Sequence, residues 1–239
     1  MTWSIVARDA ATGDFGVAVA SKVIAVGALC PWAEGGVGAL STQSYTNPLY
    51  GEDVLALLKA GQDIETAIRA VTQADEGRDW RQVHGVDRAG RAFAFTGASC
   101  VDWIGGLAGD GVSVAGNMLA GPDIVEATMA AWRAGGAAPF ARRLLDALIA
   151  GEAAGGDKRG KQSAAIRVAG AERVAKIDLR VDDAPEPTST LSRILDSFLI
   201  ERAPYYAGLP SRRNPNGSFA PEDREAIARG HRLAKGLDR

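Results

Sequence analysis

The order of strand-like and helix-like segments constrains the fold of this chain more than any other feature of its sequence. Segments 2–8 and 15–22 alternate like strands and flank a stretch of turn-forming residues, so they predict a β-hairpin. Further strands are predicted at 36–43, 81–87, 91–96, 103–107, 112–116, 162–168 and 174–181, and helices around 54–58, 64–71 (with Asp63 as N-cap), after Pro122, and at 139–151 and 187–201. Strands at hairpin spacing favour antiparallel sheets. The pattern therefore predicts an α+β fold, a four-layer αββα sandwich of two mainly antiparallel sheets.

The composition of the chain changes near residue 203. Residues 1–202 carry the strand and helix patterns, and the stretch from Pro204 onward is rich in Pro, Arg, Asn and Gly. A polar helix is predicted near 221–235. We expect one domain over 1–202 and a C-terminal extension over 203–239.

Charge and composition exclude several classes of partner. The net charge of −2 gives no global field that attracts nucleic acid or anionic membranes, and no apolar run approaches the roughly 20 residues of a membrane span. The N-terminus lacks the pattern of a signal peptide, so we expect a cytoplasmic protein that acts on a small molecule. Two histidines are too few for a multi-histidine metal centre, and no cofactor is predicted. Ala-rich faces and the helix near Trp132 suggest a homo-oligomer.

The second residue of the chain is a threonine, which is a candidate nucleophile. A threonine hydroxyl needs a base to take its proton. If Met1 is removed, as is usual before a small residue, the α-amine of Thr2 becomes that base, with an ordinary pKa of about 7.7–8.0. The alternative is that Thr2 only suits the strand in which it lies.

The predicted hairpin places particular residues beside Thr2. If Arg8 pairs with Phe15, then Thr2 lies opposite Ser21 and shares a sheet face with it. A one-residue slip brings Lys22 or Ala20 there instead. We therefore count Ser21 and Lys22 as candidate catalytic residues, with Lys22 lowering the pKa of the amine. A solvent-facing Lys22 is the alternative.

Acyl transfer also needs hydrogen-bond donors for an oxyanion and groups that hold the substrate. Gln43 and Asn47 flank a turn after the third strand, and Asn117 follows another strand, although each amide also suits a turn-stabilising role. The glycine-rich loop at 155–160 offers Asp157 to orient the amine and Arg159 to bind a carboxylate.

The same glycine-rich loop continues into a predicted strand that starts with Gln162 and Ser163, which suit a pocket floor. For Lys158 and Lys161 we favour solvent exposure. A solvated loop of mixed charge is the alternative interpretation of the whole segment.

Several other polar residues are weaker candidates. Cys30 and Cys100 are expected to be small buried residues, and His84, in the middle of a strand, a structural histidine. A hydrolase that binds a metal through Asp157, Asp182 or Asp183 is a further alternative. For Asp182, pairing with Arg180 or a role in a turn is favoured.

Seven separated motifs resemble an uncharacterised Ntn-hydrolase-like family, domain of unknown function 1028. They are TWSIVARD at 2–9, GVAVASK at 16–22, AVGA at 25–28, QSYTN at 43–47, GNMLAG at 116–121, GDKRGKQSA at 156–164 and LRVDD at 179–183. The resemblance covers roughly residues 2–200 and implies the αββα Ntn-hydrolase fold. It also favours site roles for Asp157, Arg159, Gln162 and Ser163.

These observations lead to two hypotheses about function. The first is an N-terminal-nucleophile amidohydrolase that cleaves a small amide or peptide-like C–N bond with Thr2. The second is a non-catalytic small-molecule-binding protein on the same fold.

Overall fold

The computed structural model describes residues 2–172, 174–218, 222, 225, 229 and 230. The chain divides into two compact units, residues 1–191 and 192–239, and each is described by itself. The predicted polar helix near 221–235 lies largely outside the described residues and stays a prediction.

The predicted N-terminal hairpin is confirmed, including its register. Strand β1 (Thr2–Arg8) pairs antiparallel with β2 (Phe15–Ser21), so that Arg8 lies opposite Phe15 and Thr2 opposite Ser21. The Asp9 carboxylate accepts hydrogen bonds from the Ala11 amide and the Thr12 hydroxyl, as expected of a turn-forming aspartate.

Two antiparallel sheets form the centre of the first unit. The larger sheet has the order β10-β9-β2-β1-β8-β7 and the smaller one β3-β4-β5-β6. The remaining strands are β3 (Pro31–Glu34), β4 (Gly38–Ser44), β5 (Arg81–Asp87), β6 (Ala92–Thr96), β7 (Gly105–Gly109), β8 (Val112–Asn117), β9 (Ser163–Ala169) and β10 (Ile177–Val181). Strand β3 was not predicted from the sequence. It has four residues and begins with a proline, which lacks the N–H of a ladder, and it lies at the edge of its sheet.

Two helix pairs cover the outer faces of the two sheets. Helices α1 (Leu49–Lys59) and α2 (Ile64–Ala74) pack on the smaller sheet, and α3 (Asp123–Ala134) and α4 (Phe140–Ala153) on the larger one. The predicted four-layer αββα arrangement is therefore confirmed. The side chain of Asp63 accepts a hydrogen bond from the Thr66 amide, which confirms it as the N-cap of α2.

The C-terminal part of the described chain is helical. Helix α5 (Pro187–Glu201) matches the predicted range, and α6 (Ala203–Ala207) follows it. Within the described part of the chain, no helix combines the length and the apolar character needed to cross a bilayer. Trp132 is buried against Phe140 and under the Arg143 guanidinium, so it offers no exposed surface to a second subunit. The homo-oligomer stays a prediction.

Candidate functional site

Four polar residues lie side by side at one end of the larger sheet. Asn117 of β8 is paired with Thr2 of β1, Thr2 with Ser21 of β2, and Ser21 with Ser163 of β9. Directly paired residues of neighbouring strands project from the same face of a sheet. This face lies against the smaller sheet, and all four residues are buried. The sequence-predicted candidates Thr2, Ser21, Asn117 and Ser163 are thus brought together.

The hydroxyl of Thr2 contacts the hydroxyl of Ser21. The distance between Thr2 Oγ1 and Ser21 Oγ is 3.1 Å. Ser163 is engaged differently, because its hydroxyl donates to the carbonyl of Val23 at 2.6 Å and accepts from the amide of Val26 at 3.1 Å. Ser163 therefore fixes the segment that follows β2.

Three side-chain amides form a cluster beside Thr2, and two of them contact its backbone. Gln82 Oε1 accepts from Gln43 Nε2 at 2.8 Å and from Asn117 Nδ2 at 3.0 Å. Gln43 Nε2 also lies 3.5 Å and Asn117 Nδ2 3.4 Å from the carbonyl oxygen of Thr2. Gln43 and Gln82 come from the smaller sheet and Asn117 from the larger, so this cluster joins the two sheets at Thr2.

The polar cluster continues inward to a buried histidine. His84 Nε2 lies 2.7 Å from Ser4 Oγ, and His84 Nδ1 lies 3.0 Å from Ser113 Oγ. Ser4 Oγ donates to Gln43 Oε1 at 2.7 Å, which links the histidine to the amide cluster. Burial lowers the pKa of His84 to about 3, so the ring is neutral at pH 7. The prediction of a structural histidine is confirmed.

Sequence reasoning missed Ser4, Gln82 and Ser113. A signal existed, because polar residues alternate at Thr2 and Ser4 and again at Gln82 and His84. Residues two apart on a strand share a face. Alternating polar residues usually indicate a solvated face, however, and only the packing of two sheets turns this face inward.

The backbone adopts a left-handed conformation directly after two of the site amides. Ser44, which follows Gln43, has a φ of 70°, and Met118, which follows Asn117, has a φ of 51°. Non-glycine residues in this region cost roughly 1–3 kcal/mol and are concentrated at functional sites. The strain therefore marks the same end of the two sheets as the polar row.

The glycine-rich loop at 155–160 lies across the strand ends beside Thr2. The buried carboxylate of Asp157 accepts from the backbone amide of Lys22 at 3.0 Å, and Asp157 forms a β-bridge with Leu119. Lys22 follows β2 and Leu119 lies just beyond β8, and these two strands flank β1. Asp157 is therefore held close to the first residue of β1.

Arg159 binds Asp157 instead of pointing freely into a pocket. Its Nη2 lies 3.2 Å from Asp157 Oδ2, and its backbone amide donates to Asp157 Oδ1 at 2.8 Å. The Arg159 side chain is 40% exposed, so it still has a surface that faces solvent. The predicted proximity of Asp157 and Arg159 to Thr2 agrees with this geometry, whereas their chemical roles stay predictions.

Three predicted site residues have side chains that are engaged elsewhere. The ammonium of Lys22 is exposed and donates to the carbonyl of Lys161 at 3.3 Å, so it does not contact the Thr2 hydroxyl. The amide of Gln162 donates to Asp183 at 3.1 Å. Asn47 donates to Asp75 at 3.1 Å, in a cluster beside helices α1 and α2.

The Asp75 cluster is a separate structural centre. Desolvation raises the pKa of Asp75, but hydrogen bonds from Tyr50, Arg81, Asn47 and the Gly77 amide outweigh it and hold that pKa well below its usual range. Burial and the bond to Asp75 raise the pKa of the Tyr50 hydroxyl. The amide of Asn47 is thus engaged by the Asp75 carboxylate, outside the polar row.

The lysines of the loop are held by partners. Lys161 binds Glu152 at 2.9 Å and also Glu186, and these two hydrogen bonds, that from Glu186 first, raise the pKa of Lys161. Lys158 Nζ donates to the carbonyl of Asp102 at 2.7 Å. The expected exposure is confirmed for Lys158, although it has a carbonyl acceptor, and is wrong for Lys161, which is only partly exposed between two carboxylates.

The carboxylates proposed for a metal are not arranged as one ligand set. Asp182 pairs with Arg180 at 2.9 Å, as expected, while Asp183 binds Gln162 and Asp157 binds Arg159. Among the described residues, no group of three or more His, Cys, Asp or Glu side chains converges in a way that suits a metal ion. Cys30 and Cys100 are buried thiols, which confirms the prediction for both.

Fold and site together define the class of this protein: a four-layer α+β sandwich with a buried polar row at one end of its inter-sheet layer. The sequence matches the family of unknown function DUF1028 over residues 2–191, and the chain belongs to that family. A crystal structure of a DUF1028 protein from Silicibacter pomeroyi is similar to it, with a TM-score of 0.84 and 32% sequence identity. The match covers 90% of this chain and 94% of that one. A comparison with curated protein sequences found no match to this chain.

Proposed function

We propose that this protein is an N-terminal-nucleophile amidohydrolase that cleaves a small amide or peptide-like C–N bond. In this proposal Met1 is removed, Thr2 Oγ1 is the nucleophile and the α-amine of Thr2 is the base. The observation that carries the proposal is the position of Thr2 in the polar row, with its hydroxyl 3.1 Å from Ser21 Oγ and Asn117 as its other cross-strand partner.

The proposed reaction proceeds through an ester of Thr2. The hydroxyl oxygen attacks the amide carbon of the substrate while its proton passes to the α-amine. The tetrahedral intermediate collapses, the C–N bond breaks, and the leaving amine takes the proton from the ammonium. Water then attacks the ester, again with the α-amine as proton acceptor, and the acid is released as the Thr2 hydroxyl regains its proton.

The neighbours of Thr2 suit the other requirements of this reaction. Ser21 is placed to hold the Thr2 hydroxyl in one rotamer, and the amide of Asn117, 3.4 Å from the Thr2 carbonyl oxygen, is placed to hold the backbone of the nucleophile. The Asp157 carboxylate lies at the end of β1, where it suits an ammonium group on residue 2. In the proposal, Arg159 binds a carboxylate of the substrate with its guanidinium.

The experiment that tests this function combines protein chemistry with an activity screen. Intact mass establishes whether Met1 is absent, and release of primary amine from a panel of small N-acyl amino acids and amides measures hydrolysis. We expect hydrolysis by the wild type, none by Thr2→Ala, and residual activity in Thr2→Ser, which keeps both the hydroxyl and the amine. Hydrolysis by Thr2→Ala at the wild-type rate would overturn the proposal.

One observation favours the second candidate, a small-molecule-binding protein without catalysis. The Lys22 ammonium, expected to lower the pKa of the Thr2 amine, lies instead on the Lys161 carbonyl. A binding protein would hold its ligand equally well in wild type and Thr2→Ala. Titration calorimetry with any compound that emerges from the screen separates the two candidates, because the amidohydrolase proposal requires turnover.

The proposal also includes the setting in which the protein works. We propose a cytoplasmic protein that acts on a small molecule as a homo-oligomer. Sedimentation velocity measures the oligomeric state, and a monomer of 24.9 kDa over the micromolar range would contradict that part. The catalytic part does not depend on it.

A further inference from the structure

We propose that Gln82 is the positioning residue of this site, and that its side-chain oxygen orients the amides of Gln43 and Asn117 toward Thr2. This inference rests on the proposed function for its catalytic meaning. Gln82 was not among the candidates from the sequence. It is fully buried in the middle of the cluster, so its role is to hold other side chains and not to contact the substrate.

The oxygen of Gln82 is the shared acceptor of the two amides. Gln82 Oε1 lies 2.8 Å from Gln43 Nε2 and 3.0 Å from Asn117 Nδ2. A carbonyl oxygen has two lone pairs, and here each of them has one donor. One N–H of Gln43 and one of Asn117 are thereby fixed in direction.

The orientation of Gln82 is itself determined by its surroundings. Its Nε2 donates to Thr96 Oγ1 at 2.9 Å and to the carbonyl of Gly116 at 3.0 Å. A carbonyl oxygen can only accept, so the NH2 group must lie on that side. The Gln82 oxygen must then face the cluster, and the assignment of N and O follows from the network.

Gln43 is held in the same way from its other end. Its Nε2 lies 3.2 Å from the carbonyl oxygen of Ala115, which can only accept, so the NH2 group lies on that side and Oε1 accepts the Ser4 and Ser41 hydroxyls at 2.7 and 3.2 Å. The second N–H of Gln43 lies between the carbonyl oxygens of Ala115 and Thr2, at 3.2 and 3.5 Å, and the second N–H of Asn117 lies 3.4 Å from the Thr2 carbonyl oxygen. Loss of the Gln82 oxygen would remove an acceptor from both amides, and the effect should be larger for Asn117, because Gln43 keeps its bonds to Ser4 and Ser41.

The test reads the carbonyl carbon of Thr2 directly. Threonine precedes tryptophan only at Thr2–Trp3, so protein labelled with carbonyl-13C threonine and 15N tryptophan gives one carbonyl-to-amide correlation in NMR. In Gln82→Met the side chain keeps its length and loses its acceptor. We expect the Thr2 carbonyl resonance to move upfield, because a carbonyl that loses hydrogen bonds is less polarised, while the amide signals of the other four tryptophans stay in place.

Two further variants make the result specific. In Gln82→Glu an acceptor oxygen still faces both amides, so the Thr2 carbonyl resonance should lie close to its wild-type position. Thr96→Val removes a partner of Gln82 that lies away from Thr2, and it should leave the resonance unchanged. An unchanged resonance in Gln82→Met, or a shift of equal size in Thr96→Val, would overturn the inference.

The experiment remains decisive if Gln82→Met fails to fold. Gln82→Glu alone then tests the idea, because burial favours the neutral carboxylic acid, which keeps an acceptor oxygen for Gln43 and Asn117 and an O–H donor for the Gly116 carbonyl. A Thr2 carbonyl resonance at the wild-type position supports the orienting role of the Gln82 oxygen, and a displaced resonance contradicts it.

The NMR measurement needs no substrate. A negative NMR result therefore contradicts the role of Gln82 and not the hydrolase proposal, which is tested by hydrolysis. If hydrolysis is found, kcat should fall in Gln82→Met and recover in Gln82→Glu, with KM changing little.

Discussion

The two ends of the layer between the sheets differ sharply, although strands β1, β4 and β5 contribute to both. At one end, the inward-facing residues of β1, β2, β4 and β5 are apolar: Val6, Phe15, Val17, Ala39 and Val86. At the other end, β1, β4, β5 and β8 turn polar residues to the same space: Thr2, Ser4, Gln43, Gln82, His84 and Asn117. The change takes place over one strand length.

The difference shows which end contributes more to the stability of the fold. Burial of apolar area contributes about 25 cal/mol per Å², whereas buried polar groups roughly regain in hydrogen bonds what they lose in desolvation. Among the described residues, no buried side-chain nitrogen or oxygen of the polar end lacks a partner. Such an end adds little stability, and a fully bonded network instead fixes the geometry of Thr2.

The largest expected effect comes from a cavity at the apolar end. Phe15→Ala removes a fully buried ring, and we expect it to lower the free energy of unfolding by about 3–5 kcal/mol. Urea unfolding followed by circular dichroism measures this loss. The control is Leu29→Ala at an exposed position, with an effect within about 0.5 kcal/mol. A loss below that of the polar-end variants would contradict the assigned roles.

A smaller stability effect is expected at the loop that covers the polar end. Asp157→Ala leaves the Lys22 and Arg159 amides without their acceptor, which should cost about 1–3 kcal/mol. Asp157 also holds the loop beside Thr2. If a substrate is found, we therefore expect Asp157→Ala to raise the activation free energy of its hydrolysis by far more than it lowers the free energy of unfolding. Asp183→Asn, at the exposed partner of Gln162, is the matched control. Equal losses of activity in the two variants would contradict a special role for Asp157.

The polar end should also make the stability of the protein depend on pH. The folded state lowers the pKa of His84 to about 3 by burial, while the unfolded chain binds a proton near 6.5. His84 therefore contributes stability above pH 6.5 that is lost as the pH falls toward 3. Between pH 7 and pH 5 the loss is about 2 kcal/mol. Urea titrations of wild type and His84→Gln should differ by this amount, and parallel pH dependences would contradict it.

Much of the fold was predictable from the sequence because local patterns and tertiary contacts agree. The hairpin register followed from Arg8 and Phe15, and it brought Thr2 and Ser21 together. Asn117 was also placed correctly, because it ends a strand of the same sheet. The short edge strand Pro31–Glu34 was missed, since its proline weakens the strand pattern.

The rest of the site depends on which two sheets meet, and no local pattern contains that information. Gln82 and His84 alternate on their strand like residues of a solvated face, and only the packing of the larger sheet buries them. The amide of Asn47 was predicted at the site beside Thr2. It instead donates to Asp75, an acceptor 28 positions further along the chain. The ammonium of Lys22 was predicted beside Thr2. It instead donates to a backbone carbonyl of the glycine-rich segment, outside the polar row.

The smallest expected effect concerns a single thiol. Burial raises the pKa of Cys30 to about 12, against a weaker opposing hydrogen bond with Thr46, so at pH 8 almost none of it is thiolate. Iodoacetamide should therefore leave Cys30 unmodified in the native protein and modify it in urea, as read by peptide mass. Rapid native modification would show that the core around Cys30 opens readily.

The most direct test of the account is covalent trapping of the nucleophile. A β-lactone acylates a reactive hydroxyl and stays attached as an ester, and peptide mass spectrometry locates it. We predict one adduct on Thr2 of a chain without Met1, and no adduct in Thr2→Ala. A fully methionylated chain, or an adduct on any other residue, would contradict the claim that Thr2 and its own amine form the reactive centre.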